Sequence, residues 1–366
     1  MNTFLFTGML SGLNEFFSGQ ATPGMISSDS TLMYLQVFLL AVVSFLISIT
    51  VQFIKVKEEK KLRFISFTHS LLTYFLALHL MKYGFDKVFK TQFYQPEPNT
   101  LFTPFGFLDK DILFWSTIGT SHPYNVVTGA LEIIAALLLV FHRTRRAGLV
   151  LSLGLLLHIC LINFSFDISV KLFSIFLLGI TCLLIAPDLK NFITFFFKRQ
   201  LNQQNEPLPL WILNKQVKVG LKCFVILVII SESIYPAVLS GNFNDDRAQR
   251  PYLHGAYEVW SIEPKENTLN IALPDIKRVF IHRRGYIIFQ HDNDSMSDYK
   301  LNIDSIKHTF ELTDHKLVTT TIPYVYYPVD STLVLNSAYK ITAKAIDWRT
   351  LPALRKGFHF RSDSEF

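Results

Sequence analysis

Cysteine is scarce in this sequence: only Cys160, Cys182 and Cys223 occur, each inside an apolar stretch. None forms a CxxC pair and none falls in the polar C-terminal third. That spacing excludes a thiol–disulfide relay and a structural zinc site, and no metal is expected. The three thiols read as small hydrophobes buried in helices. Charge is scarce too: charged residues make up 17% of the chain, where soluble proteins carry about 25%. There is no Gly-rich phosphate loop, no HExxH and no GxSxG, so the common nucleotide, zinc-protease and serine-hydrolase signatures are absent. The first thirty residues lack a basic region and the tail before Tyr34 holds no Lys or Arg, so no cleavable signal peptide is expected.

What the chain does have is long apolar runs. Hydrophobic residues make up 50% of the 366 positions, the composition of a protein that crosses a membrane several times. The formal charge of +6 does not point to nucleic acid, because many cations lie just outside apolar runs, where they set topology. Six runs approach the length needed to cross about 30 Å of hydrocarbon: Tyr34–Ile54, Phe64–Phe85, Tyr124–Phe141, Leu149–Phe166, Val170–Ala186 and Val219–Leu239. The fourth and fifth are separated only by Asp167–Ile168–Ser169 and should form a tight hairpin. Lys55, Lys57, Lys60, Lys61 and Arg63 fill the first loop; Arg143, Arg145 and Arg146 the third; Lys190, Lys198, Arg199, Lys215 and Lys218 the fifth. With these loops inside, both termini lie outside the cytoplasmic membrane of a bacterium, and the parity of the spans agrees.

Between the second and third spans, Thr91–Ser121 carries Pro96, Pro98, Pro104 and several aromatics, and reads as a re-entrant or interfacial outer loop. Asn191–Phe197 reads as a short helix on the cytoplasmic surface. Beyond Gly241 the pattern changes to short alternating runs bounded by turn residues. These are Tyr257–Ile262, Arg278–Ile281, Tyr286–Gln290, Tyr299–Ile303, Thr309–Leu312, Leu317–Ile322, Thr332–Leu335 and Ile341–Ile346. About eight strands at this spacing predict an antiparallel sandwich or small barrel. The expected organisation is an N-terminal tail at 1–33, a helical membrane domain at 34–240 and an extracytoplasmic β domain at 241–366. His291–Asp298 is rich in oxygen ligands but lacks the spacing of a calcium loop, and reads as a solvated turn.

Glu132 is the most informative single residue, because a carboxylate deep in hydrocarbon costs roughly 2.5–3.5 kcal/mol on insertion scales. It needs a bundle interior, a cation or a proton. In the second span His79, Lys82, Tyr83, Asp86 and Lys87 share one helical face, as do Tyr124, Thr128 and Glu132 in the third. His158, Asn163, Asp167 and Lys171 follow in the hairpin, and Glu232 with Tyr235 in the sixth span. All lie toward the outer half, which predicts a polar cavity, open outward and roofed by the β domain. Lys82, Lys87, Asp167 and Lys171 also admit a plainer reading, as surface-reaching or mutually paired side chains. No catalytic residue is assigned.

The strings KYGFDKVF (Lys82–Phe89), PYNVVTGALEIIAALLLVFHRTRRAG (Pro123–Gly148), LINFSFDISVKLFS (Leu161–Ser174) and LLIAPDLKNF (Leu183–Phe192) resemble the DoxX-like family of bacterial membrane proteins, over about residues 70–195. The shared pattern is an outer-end glycine and lysine, a G-x-x-E, an Asn…Asp…Lys hairpin and a Pro-Asp ending. The whole arrangement resembles larger members from Bacteroidota that carry an extracytoplasmic β domain and end in a motif like RKGFHF (Arg355–Phe360). HGAYEVW (His254–Trp260) is similar to the start of a lipocalin-like strand, with Tyr257 where Trp is usual. The resemblance implies a four-helix core and roles for Lys87, Glu132, Asn163, Asp167 and Lys171. Some relatives of that type are tied to membrane redox chemistry, including a subunit of thiosulfate:quinone oxidoreductase. Three readings stay open: a non-enzymatic membrane component binding a lipid, a quinone or a membrane or periplasmic protein; a membrane oxidoreductase or its quinone-interacting subunit; and a small transporter.

Overall fold

Among the described residues, six helices are long and apolar enough to cross a membrane, and a closed eight-stranded antiparallel barrel follows them in the C-terminal region. The computed structural model describes residues 28–53, 57–189, 194, 215–265 and 274–355. The expected surface helix at Asn191–Phe197, apart from Thr194, and the RKGFHF motif beyond Arg355 lie outside them, as does most of the N-terminal tail. The described residues fall into two compact units. One is drawn from Met1–Phe89 and Val126–Gly241, the other from Lys90–Asn125 and Asn242–Phe366. The membrane domain expected at 34–240 is therefore interrupted, with Lys90–Asn125 gathered to the barrel.

In the first unit, α1 (Thr31–Gln52) starts at Ser30, whose hydroxyl accepts the Met33 N–H, and it buries none of its residues. The second helix, α2 (Glu58–Val88), runs several residues beyond the expected span at its N-terminus. Its 31 residues reach about 46 Å at 1.5 Å per residue, longer than the roughly 30 Å of a hydrocarbon core. Glu58 and Glu59 in its first turn and Lys87 in its last complement the helix dipole. In chain order α5 (His122–Val140), α6 (Arg145–Ser165), α7 (Lys171–Ile185) and α8 (Lys215–Ser240) complete the bundle. Its core is Leu76, Leu80 and Met81 against Ala135, Leu139, Leu149, Leu156, Leu177 and Ile229. Cys160 is buried as expected, but Cys182 and Cys223 lie on the exposed outer faces of their helices.

Two features fix the packing. A Cβ on Gly84 would lie 2.8 Å from the Gly129 carbonyl, and one on Gly129 2.5 Å from that of Gly84. Only glycine lets α2 and α5 approach this closely, the small-residue contact by which helices associate in lipid. The hairpin between α6 and α7 is as tight as expected: Asp167 takes a positive φ of 54° and the Ile168 N–H donates to Asn163 O at 3.0 Å. The start of α7 is capped by Asp29, whose carboxylate accepts the N–H groups of Lys171 and Leu172 at 2.7 and 3.0 Å.

In the second unit, strands β1 (Gly255–Pro264), β2 (Ile276–His282), β3 (Tyr286–His291), β4 (Met296–Asp304), β5 (Thr309–Thr313), β6 (Thr319–Tyr327), β7 (Thr332–Asn336) and β8 (Tyr339–Ile346) pair in sequence order. All eight expected runs form strands. β6 starts at Thr319 rather than Leu317, because Leu317 has a positive φ of 65° within the preceding turn. β8 closes on β1, with Ala256 opposite Ile346. Alternate residues point inward, and Tyr257, Val279, Ile281, Phe310, Tyr324 and Leu333 fill the interior, as expected of so narrow a barrel. His291–Asp298 spans the β3–β4 hairpin turn.

Segment Lys90–Asn125 contains α3 (Pro98–Leu101) and α4 (Lys110–Thr120). The stretch expected to be a re-entrant or interfacial loop clusters with the barrel. Phe102 stacks on Phe280 of β2 with ring centroids 5.8 Å apart, Arg278 lies 4.6 Å over the Phe102 ring, and Gln290 donates to Phe102 O. Leu101 and Phe102 pack against the outer face of the barrel.

Candidate functional site

The Lys87 ammonium donates to both carboxylate oxygens of Glu132, each at 2.8 Å. Lys87 is 8% exposed and Glu132 2%, so the pair is shielded from water and lipid alike. Each partner sits three residues after one of the touching glycines, Gly84 in α2 and Gly129 in α5. One turn beyond the closest backbone approach, the two side chains reach each other. Burying two charges is costly, and it is the short two-pronged geometry that offsets the cost.

Other expected site residues group less closely. Tyr83 lies beside the pair, its ring centroid 5.9 Å from the Lys87 ammonium, and Asp86 is half-buried on the next turn. The His79 Nδ1–H donates to Phe75 O at 3.0 Å, which leaves Nε2 as the ring atom able to accept. Its ring stands 4.3 Å from Phe75 and 5.2 Å from Phe173 of α7, with Phe176 edge-on to Phe75. Phe75, His79 and Tyr83 thus form a half-exposed aromatic stripe along α2, completed by α7. Asn163 is buried at the hairpin, where its Nδ2 finds no partner. Asp167 and Lys171 pair across the turn at 2.6 Å.

Lys82, His158 and Glu232 do not join a shared interior; all three are exposed. The buried face of α6 runs through Leu149, Ser152, Leu156, Cys160 and Asn163, and His158, two positions from Leu156, points to the other side. On α8 the buried residues are Ile229, Ser233 and Ala237, which turns Glu232 outward. Glu132 shares its buried face with Asn125, Gly129 and Ala136 rather than with Tyr124 and Thr128. A polar cavity open around Glu132 is therefore replaced by a closed ion pair.

Within the second unit the structure assembles a cluster the sequence did not reveal. Glu97, the residue before α3, accepts from His254 Nε2 at 2.8 Å and from Arg283 Nε at 3.1 Å, with His282 Nε2 4.0 Å away. Arg283 also donates to Asp245 at 2.7 Å and lies 3.6 Å over the Tyr94 ring, while Arg250 holds Asp245 at 3.0 Å. Nearby, Lys90 pairs with Asp246 at 2.9 Å. Burial opposes ionisation of Glu97, but the His254 hydrogen bond and the charges of His282, His254 and Arg283 outweigh it and hold the carboxyl below its usual range. Asp245 is likewise held low against its burial by Arg250 and Arg283. Burial pushes the His282 imidazole down, more than Glu97 raises it, and its Nδ1 lies 3.1 Å from the Arg284 backbone N–H. The cluster ties segment 90–125, the chain before β1 and the β2–β3 turn together. Glu97 and Arg283 are 186 positions apart in sequence, and only HGAYEVW singles out a member of the cluster, His254.

Tyr257, where the lipocalin-like pattern carries Trp, is buried in the barrel and donates to Leu253 O at 2.9 Å. Beside it opens a cleft of about 480 Å³ lined by Tyr252, His254, Tyr326, Trp348 and Arg349. Among the described residues no group of three or more His, Cys, Asp or Glu side chains is placed to hold a metal ion.

Compared with known proteins, 131 residues of the chain are 32% identical to a Bacillus subtilis (strain 168) protein named "Uncharacterized protein YwoB". The match covers 36% of this chain and 82% of that protein. No protein-family model matches the chain. No solved structure matches it either.

Proposed function

Because the chain belongs to the same family as YwoB of Bacillus subtilis, a protein whose name assigns no activity, we propose a function from geometry: it is a non-enzymatic membrane component that binds a lipid, a quinone or a partner protein. The observation that carries this reading is the closed state of the Lys87–Glu132 pair, whose charges are engaged with each other inside the bundle. The pair acts on the binding surface by fixing α2, so that Phe75, His79 and Tyr83 meet Phe173 and Phe176 of α7. That half-exposed stripe is the surface we assign to an amphipathic ligand. The proposed setting is a bacterial cytoplasmic membrane with the basic loops inside and both termini outside. DoxX-like membership is part of the proposal, supported by the meeting of Lys87 with Glu132, two residues that the resemblance carries.

One observation favours a second reading, a quinone-interacting subunit of a membrane oxidoreductase. His79 offers Nε2 between two aromatic rings, a setting that suits a planar head group exchanging a proton. Organic extraction of the purified full chain, followed by mass spectrometry and an absorption spectrum, separates the two. Bound phospholipid alone supports the binding component. A stoichiometric quinone together with flavin or haem supports the redox subunit, and recovery of no ligand or partner sinks both.

A further inference from the structure

In the up-and-down barrel the hairpin turns alternate between its two ends. Gly255 at the start of β1 pairs with Ile281 near the end of β2, so the chain enters at the same end as the β2–β3, β4–β5 and β6–β7 turns. Arg283 of the β2–β3 turn pins two incoming segments to this end, through Asp245 at 2.7 Å and Glu97 at 3.1 Å. Both segments come directly from membrane-crossing helices. Lys90, two residues beyond the end of α2, pairs with Asp246, six residues beyond the end of α8. The same end carries bare aliphatic tips. Ile306 in the β4–β5 turn is 93% exposed and Val329 in the β6–β7 turn fully so, with Tyr252 and Tyr327 also more than half exposed. Lys307, beside Ile306, extends into solvent.

We propose that this end of the barrel is a lipid-docking surface, with the Ile306 and Val329 tips inserted into the interfacial layer of the membrane from which the chain emerges. Lipid is favoured over a protein partner by the connectivity. Two spans deliver the chain to this end within a few residues, and large aliphatic side chains at such a tether meet lipid first. Tyrosine at the rim and a lysine beside the tip suit the boundary between acyl chains and head groups. The opposite end supplies an internal control, because Leu317 in the β5–β6 turn is 84% exposed there. Exposure alone therefore does not distinguish the two ends; position does.

The test uses the full chain in nanodiscs of phosphatidylethanolamine and phosphatidylglycerol. Cys160→Ala, Cys182→Ala and Cys223→Ala clear the background, and an NBD fluorophore is attached at Ile306→Cys, Val329→Cys or Leu317→Cys. Quenching by doxyl groups on the lipid chains should be at least about twofold stronger at 306 and 329 than at 317, with iodide showing the reverse order. Equal doxyl quenching at all three sites overturns the proposal. So does shielding of 306 and 329 from both quenchers, which would mean a second copy or another protein covers them. In the chain with its native cysteines, trypsin should cut after Lys316 and spare Lys307; equal cleavage at both would also overturn it.

Discussion

Gly84 and Gly129 meet backbone to backbone, each three residues ahead of a partner in the Lys87–Glu132 ion pair. The glycines and the charges are one device. The close approach brings the side chains within reach, and the ion pair fixes how α2 and α5 are rotated against each other.

Gly84→Ala or Gly129→Ala should therefore cost more than helix propensity alone would suggest. The added Cβ meets backbone oxygen at 2.8 or 2.5 Å, and forcing the helices apart should destabilise the protein by about 1–3 kcal/mol. Gly154→Ala, where nothing lies within 4 Å, should be neutral or mildly stabilising. Thermal midpoints of the detergent-purified variants, followed by size-exclusion retention, check the contrast.

Arg283 bridges Glu97 and Asp245 while covering the Tyr94 ring. Lysine has one ammonium and no planar fork, so Arg283→Lys keeps the charge but cannot hold both carboxylates. We expect Arg283→Lys to lose about 1–3 kcal/mol, most of what Arg283→Ala loses. Chemical denaturation of the full chain, read by near-ultraviolet circular dichroism, measures both.

Acid should weaken the barrel unit. His282 is held below its ordinary 6.5, so its contribution is present at higher pH and is lost as pH falls from about 6.5 through the lowered value. Glu97 and Asp245 are held below their ordinary 4.5 and 3.8. Their contributions are present above those values and disappear as pH falls through the lowered ones. All three have the same sign, so stability should decline in two stages, near and below pH 6.5 and then below about 4.5. His282→Asn should flatten the upper stage and Glu97→Gln the lower one, in thermal melts recorded from pH 8 to pH 3.

Much of the fold could be read from the residues because its signals are local. Long apolar runs marked the six spans, and alternation marked all eight strands of the barrel. Glu132 stood out because a buried carboxylate requires a partner, and Lys87 was among the neighbours proposed for it. The rotation of neighbouring helices is not a local property. His158 and Glu232 were at the right depth, but their helices turn them outward. The Glu97 cluster was invisible for the same reason: His254, Arg283 and Asp245 reach Glu97 or its partner only after the barrel has closed. Segment 90–125 reads as a membrane-associated loop from its prolines and aromatics, but its Leu101 and Phe102 are half-buried against the barrel wall.

The central claim is that Lys87 and Glu132 hold the bundle together and do not touch the ligand. A double-mutant cycle over Lys87→Met, Glu132→Leu and the combined variant, with thermal stability and co-purifying compounds both measured, tests it most directly. Each single change leaves a buried charge without its partner and should cost about 3–5 kcal/mol, while the double variant should recover most of that loss. The double variant should also retain whatever lipid, quinone or partner protein the unaltered chain carries. A double variant as unstable as the singles would contradict the structural role. One that folds fully but loses its bound compound would show that the pair belongs to the binding site itself.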